Sequence, residues 1–404
     1  MDERTAVRRL HDRLGFGPRP GDLDIGFDAT LDRLLAPTAP DGPAPPQLTP
    51  LDKNATQQRA DDEKKLVLWW LDRMVATTTP VVERLTWFWH GHFATSEQKV
   101  RSPFLMLAQN QTFRQFALGP FAPLAKAMIT DPAMLVWLDG NANRKGTPNE
   151  NLAREFMELF ALGIGHYSEN DVREAARALT GWTVKRDGGT QAQFAANRHD
   201  SGEKQILGQK GTFDAASFAD LVLARPESPK FVASRLWARL VSSTPPGDDV
   251  LGRLVAAQDV RSSLRAIATE PAFRDPATTL VKQPVEWLVG LMRALGVRPS
   301  TLDQQAQAKL LSGLRGMGQV PFQPPSVGGW AAGGAWLTTA SGVSRLQLAQ
   351  LVTSHAQLAG SDPGAVLGVD RWSDRSRAAW QSVASNPAQA AAIAACAPEY
   401  VVST

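Results

Sequence analysis

The chain has 404 residues, 43% of them hydrophobic and 21% charged, so it can bury a large core and lacks the composition of a disordered segment. Its 43 basic and 40 acidic side chains leave a formal net charge of +3 with no clustered basic stretch, which argues against a nucleic-acid partner. Cys396 is the only cysteine, which excludes an internal disulfide and a Cys-based zinc or iron–sulfur centre within one chain.

Met1-Asp2-Glu3-Arg4 opens a charged stretch without the apolar core of a secretory signal, and no apolar run reaches membrane-spanning length; as given, the sequence reads as cytoplasmic. Helices are predicted at 4–14 and 26–35, where short basic groupings such as Arg8 with Arg9 are expected on solvated faces. Residues 36–50, APTAPDGPAPPQLTP, read as a loop or linker, because proline fixes φ and lacks an amide donor. Apolar spacing and Pro or Gly breakers then predict helices at 61–74, 81–89, 106–117, 123–129 and 132–138. Residues 182–184 and 191–195 flank Lys185-Arg186-Asp187-Gly188-Gly189, whose Asp-Gly-Gly suits a β-hairpin turn within an insertion spanning 182–208. Further helices are predicted at 217–223, 229–240, 260–269, 285–295, 302–314 and 342–357, with a last one capped by Asn386 and starting at Pro387. No repeat of solenoid length recurs. The expected fold class is mainly α: one multi-helix globular domain over 1–404 with a small inserted β-hairpin.

Polar residues gather in three places. In Trp87-Phe88-Trp89-His90-Gly91-His92-Phe93, a continuous helix would point the two imidazoles about 200° apart. A left-handed Gly91 ending the helix would let them converge; the structural alternative is an aromatic core segment. In the helix after Pro148, with Asn149 as its expected N-cap, Asn151, Arg154, Glu155 and Glu158 fall within one arc of about 100°. That stripe either faces solvent, with Arg154 and Glu158 paired at i,i+4, or lines an internal polar cavity. Beyond Gly163-Ile164-Gly165-His166, Ser168 and Asp171 form a capping-box pattern. Arg173 and Arg177 stand where they could pair with the preceding glutamates. The third cluster, Asn197-Arg198-His199-Asp200-Ser201-Gly202, is a turn that could also orient an imidazole for acid–base work. The chain has no Gly-Lys-Ser/Thr phosphate loop, no Gly-x-Ser-x-Gly elbow and no His-Glu-x-x-His.

FWHGHFATS from Phe88, NENLAREFMELFALGIG from Asn149, YSENDVREAARALTGW from Tyr167, HDSGEKQILG from His199 and PVEWLVGLMRALG from Pro284 resemble a bacterial family catalogued as domain of unknown function 1800. PPSVGGWAAGGAWL from Pro324 and LGFG from Leu14 are weaker matches, and the glycine-rich 330–336 stretch departs from the family wording. The resemblance implies a shared polar centre at His90, His92, Asn149, Asn151, Arg154, Glu155, Glu158, Arg177, His199 and Asp200. It implies no activity.

Two imidazoles with carboxylates in a helical body point to a metal-dependent enzyme, hydrolytic or oxidative, with a divalent transition metal (Fe, Mn or Zn) on His90, His92 and Glu155. Glu158, His199, Asp200, Arg154 and Arg177 are the expected catalytic and orienting groups. The substrate would be a small molecule, peptide or glycan. Two other classes stay open: a metal-free acid–base enzyme using Glu155 and Glu158 on glycans, and a non-catalytic binding or assembly protein braced by these residues.

Overall fold

The computed structural model describes residues 1–404 except 37, 38, 40, 52, 53, 186–188, 359, 361 and 404. Helices dominate. Those that position the site are α1 (Glu3–Leu14), α2 (Thr56–Ala76), α3 (Pro80–His92), α4 (Pro103–Phe116), α5 (Asn151–Glu155), α6 (Glu169–Ala178), α7 (Glu227–Leu240), α8 (Pro284–Leu295), α9 (Gln304–Gly316), α10 (Thr339–Ser354) and α11 (Pro387–Ala395). Local chemistry explains their starts. Asp2 accepts the Thr5 amide, Pro80 occupies the first turn of α3, Ser168 and Asp171 close the expected capping box, and Asn386 accepts from Gln389.

Among the described residues, strands form three two-stranded antiparallel sheets. The expected hairpin is there: β1 (Trp182–Thr183) pairs with β2 (Gln193–Phe194), while its Asp187-Gly188 turn lies outside the described residues. A second hairpin, β3 (Lys204–Ile206) with β4 (Gln209–Gly211), turns through Leu207 and Gly208, both at positive φ. It was not expected. β5 (Leu280–Val281) pairs with β6 (Val402–Ser403), tying the last residues to the middle of the chain. The described part of 36–50 carries neither helix nor strand.

Two buried apolar clusters make the core, and α3 is their shared wall. Leu85, Trp89 and Phe93 join Phe156, Phe160, Phe218 and Leu236 on one side. On the other, Trp87 joins Trp70, Trp287, Leu291, Phe322 and Trp330. Residues 87 and 90 share one face of the helix, and 89, 92 and 93 the opposite face, as a period of 3.6 dictates. Between α2, α3 and α4, buried Glu83 accepts from Arg73 and Arg114, both at 2.6 Å, and from the Trp70 indole at 2.9 Å. The wall is therefore charge-locked as well as packed.

The arginines of α1 correct the expectation of a solvated face, since Arg8 and Arg9 are 8% and 1% exposed. Arg9 donates to the Phe273 and Asp275 carbonyls, and Arg13 to those of Thr278, Val241 and Ser403. These guanidinium groups bind backbone carbonyls of several separate segments around α1.

Candidate functional site

Gly91 stays inside α3, which runs unbroken to His92, so the two imidazoles diverge as a continuous helix requires. This corrects the expectation of a hinge. His90 is 1% exposed among Trp70, Trp87, Phe113, Phe322 and Trp330, with ring centroids 5.3–6.3 Å away. Its Nε2 accepts the Phe322 amide hydrogen at 3.0 Å. Burial holds its pKa down at about 3, so the ring is neutral and its Nε2 lone pair is committed.

His92 faces the other core. Its Nε2 donates to the Phe160 carbonyl at 2.9 Å, because a carbonyl can only accept. Nδ1 is left as a buried lone pair with no partner among the described residues. Burial, and then the nearby Arg235 guanidinium, push this pKa down to about 3 as well.

The polar stripe after Pro148 is not one regular α-helix. Glu150 rather than the expected Asn149 is the N-cap, although Asn149 Oδ1 accepts the Asn151 amide, and α5 gives way at Phe156 to a π-helical turn, Phe156–Ala161, closed by Leu162 N–H on the Met157 carbonyl. Glu158, half-buried on this turn, accepts the Tyr167 hydroxyl at 2.5 Å. Burial and that contact raise the Tyr167 pKa. Glu155 is also half-buried, its carboxyl raised by burial and then by the charge of Glu158. Asn151 is exposed. Arg154 pairs with Glu150 and Glu169 rather than with Glu158.

His199, Asp200 and Arg177 form a separate brace. The Arg177 fork holds both Asp200 oxygens, at 2.8 and 3.3 Å, and also pairs with Glu174 rather than with the glutamates of α5. It lowers the Asp200 pKa to about 2. His199 Nδ1 lies 3.0 Å from the Thr180 carbonyl, and buried Lys204 donates to the Asp200 and Gly202 carbonyls. This network seats the β3–β4 hairpin on α6, with the acid and the imidazole turned to different partners.

His92 and Glu158 do share a place. Both line a cavity of about 640 Å³, with His166, Lys230, Ser234 and Arg235, beneath Val327 and Gly328. Gly163 turns the chain at its edge with φ +88°, and a Cβ there would approach Phe231 to 3.1 Å, so glycine is required. Glu158 is engaged by Tyr167, and Glu227 at the rim by Arg225 at 3.2 Å. Neither Lys230 nor Arg235 has an ion-pair partner among the described residues, and the Arg235 Nε is buried without a hydrogen bond.

A family model described as "Protein of unknown function (DUF1800)" matches residues 9–402. The chain belongs to the DUF1800 family. No curated protein and no solved structure matches it.

Of the eight site residues expected in this DUF1800 chain, the structure thus brings His92 and Glu158 to one cavity. His90, Glu155, Arg154 and the Arg177–His199–Asp200 brace stand elsewhere. Among the described residues no three His, Cys, Asp or Glu side chains gather closely enough to hold an ion. The ligand set His90, His92 and Glu155 does not fit a shared metal, since the imidazoles sit on opposite faces of α3 and the His90 lone pair is used. Sequence reasoning predicted α7 as a helix over 229–240 but missed its part in the cavity. Its Glu227, Lys230, Ser234 and Arg235 recur at helical spacing opposite Val232, Ala233, Leu236, Trp237 and Leu240, a polar face legible in the sequence. No helix among the described residues is long and apolar enough to cross a membrane.

Proposed function

We propose that the chain binds a small organic anion in the cavity between α3 and α7. The observation that carries this is the Arg235 guanidinium: it lines a cavity whose carboxylates are already engaged, and burial lowers its pKa with no counter-charge to offset it. A half-buried cation with a buried, unpartnered Nε and no counter-charge is costly, and a ligand carboxylate or phosphate would supply both charge and acceptors. His92 Nδ1 would accept one ligand hydrogen, and Lys230 at the mouth would draw the anion in.

A second reading makes the site catalytic, with Glu158 as the proton-transfer group. The Tyr167–Glu158 hydrogen bond and the raised Glu155 carboxyl beside it favour this reading. Metal-dependent chemistry, expected from the sequence, would have to draw on His92, Glu158 and His166, which share the cavity lining but would have to move closer together to hold an ion.

The test is native mass spectrometry and calorimetry of tag-free protein against a panel of small carboxylates and phosphates, with elemental analysis alongside. Binding that falls about tenfold or more in Arg235→Gln, with folding unchanged, is the expected result. Failure of every anion to bind, or equal binding by the variant, would overturn it. Stoichiometric iron, manganese or zinc would favour the metal-dependent reading instead.

A further inference from the structure

A second chamber opens along the same two helices. Between Trp87, Phe88, Gly91, Arg239 and Trp330, α3 and α7 leave a small pocket of about 20 Å³, room for about one water. Adjoining it is a chamber of about 250 Å³ that shares Arg84, Arg239, Gln283 and Glu286 with the small pocket and is also lined by residues 332–334. Its lining carries four cations, Arg13, Arg84, Arg239 and Lys282, against two carboxylates, Asp12 and Glu286.

Both carboxylates are spent. Asp12 holds Lys282 at 2.8 Å and approaches Arg8 at 3.8 Å, and Glu286 pairs with Arg84. Arg13 is bound by neutral carbonyls, which satisfy its hydrogens without cancelling its charge. Arg239 makes one long hydrogen bond, 3.3 Å to the Trp330 carbonyl, and no ion pair among the described residues. Burial brings its pKa down to about 10; Glu286 opposes this, while Arg235 and Arg84 add to it. Two positive charges, buried Arg13 and half-buried Arg239, are therefore uncompensated within one small chamber, an arrangement that an anion of two charges would relieve.

We propose that this chamber binds a tetrahedral oxyanion, a phosphate group, with Arg239 as its principal donor and Arg84 beside it. The planar guanidinium fork matches two phosphate oxygens, and the field of Arg13 and Lys282 adds to the attraction. The chamber volume suits such a group with a few waters. The assignment is independent of the anion proposed for the Arg235 cavity, because the two linings have no side chain in common.

Thermal unfolding and calorimetry with inorganic phosphate, at constant ionic strength set by chloride, test it on the full chain. Expected is a saturable, phosphate-dependent rise in Tm that sulfate competes for, retained by the exposed control Arg371→Gln and weakened about tenfold or more in Arg239→Gln. Should Arg239→Gln fail to fold, Arg239→Lys keeps the charge but loses the fork, and it too must bind phosphate more weakly. Methyl phosphate binding more tightly than inorganic phosphate would mark a phosphorylated ligand as the source; the reverse order would mark the free ion. No phosphate-dependent shift in the wild type, or an equal one in the Arg239 variants, would overturn the site and leave the Arg235 test standing.

Discussion

The imidazole of His90 holds the backbone of Phe322: Nε2 accepts the Phe322 amide at 3.0 Å, and Phe322 sits at φ +67°, a conformation uncommon for an aromatic residue. The Phe322 carbonyl accepts in turn from Glu97 N–H at 2.8 Å. A histidine that looks like a metal ligand in sequence is here the anchor of a strained loop. His90→Phe, which keeps the bulk and removes the acceptor, is expected to destabilise the fold by about 1–3 kcal/mol, the cost of an orphaned buried amide. Urea denaturation measures this, and an unchanged midpoint would refute the anchor.

Acid should weaken the fold through the buried imidazoles. His90 and His92 are held at about 3 and His11 at about 4, against an ordinary 6.5 in the unfolded chain. Between those values the unfolded state binds more protons. The stabilisation is thus whole above about pH 6.5 and drains away as pH falls toward 3. Denaturation midpoints should drop from pH 7 to pH 4.5, and drop less steeply in a His90→Gln, His92→Gln double variant. Parallel slopes would contradict this account.

Glu97 acts in the opposite direction. Buried, with Oε1 unpartnered among the described residues, its carboxyl is pushed up to about 8, chiefly by burial. As pH rises from about 4.5 to about 8, the unfolded chain loses this proton first, and the wild type loses stability. Glu97→Gln should be close to neutral at pH 5 and more stable than wild type at pH 8.5. A variant equally destabilised at both values would show that the carboxyl is needed for packing rather than penalised for its charge.

Two glycines in contact should respond in opposite ways. Gly91 is helical, and a Cβ there would meet only Trp330 at 3.9 Å, so Gly91→Ala should be neutral or stabilising by up to about 1 kcal/mol. Gly329, at φ +81°, would place a Cβ 2.4 Å from the Gly91 carbonyl, so Gly329→Ala should unseat the loop that covers both chambers. Tm values for the pair decide it. A large loss in Gly91→Ala would restore a conformational role to that residue.

The helices were legible because burial imposes a 3.6-residue period, and starts such as Pro80, Ser168 and Asn386 carry their own capping chemistry. The β3–β4 hairpin was not, since its turn uses Leu207 at positive φ, a residue that gives no turn signal. In the candidate site, His92 and Glu158 were legible as chemistry. Their convergence with α7 was not, because a cavity lined jointly by residues 92, 158 and 235 depends on how three separate segments pack. The metal set was inferred from spacing alone, which cannot tell which face of α3 borders which core. His90 and His92 therefore read as a pair when α3 keeps them apart.

The π turn at Phe156–Ala161 has a bearing on how this chain can change over evolutionary time. Such a turn amounts to one residue inserted into an α-helix, and it persists only while something holds the wider ring open. Here His92 donates to the Phe160 carbonyl at its far end. A single-residue deletion within 156–161 would restore ordinary helical register at little backbone cost while swinging Glu158 by about 100°. Relatives that lack the extra residue should then have lost the carboxylate from the cavity wall, or moved it to a neighbouring position, and have been released from keeping histidine at 92.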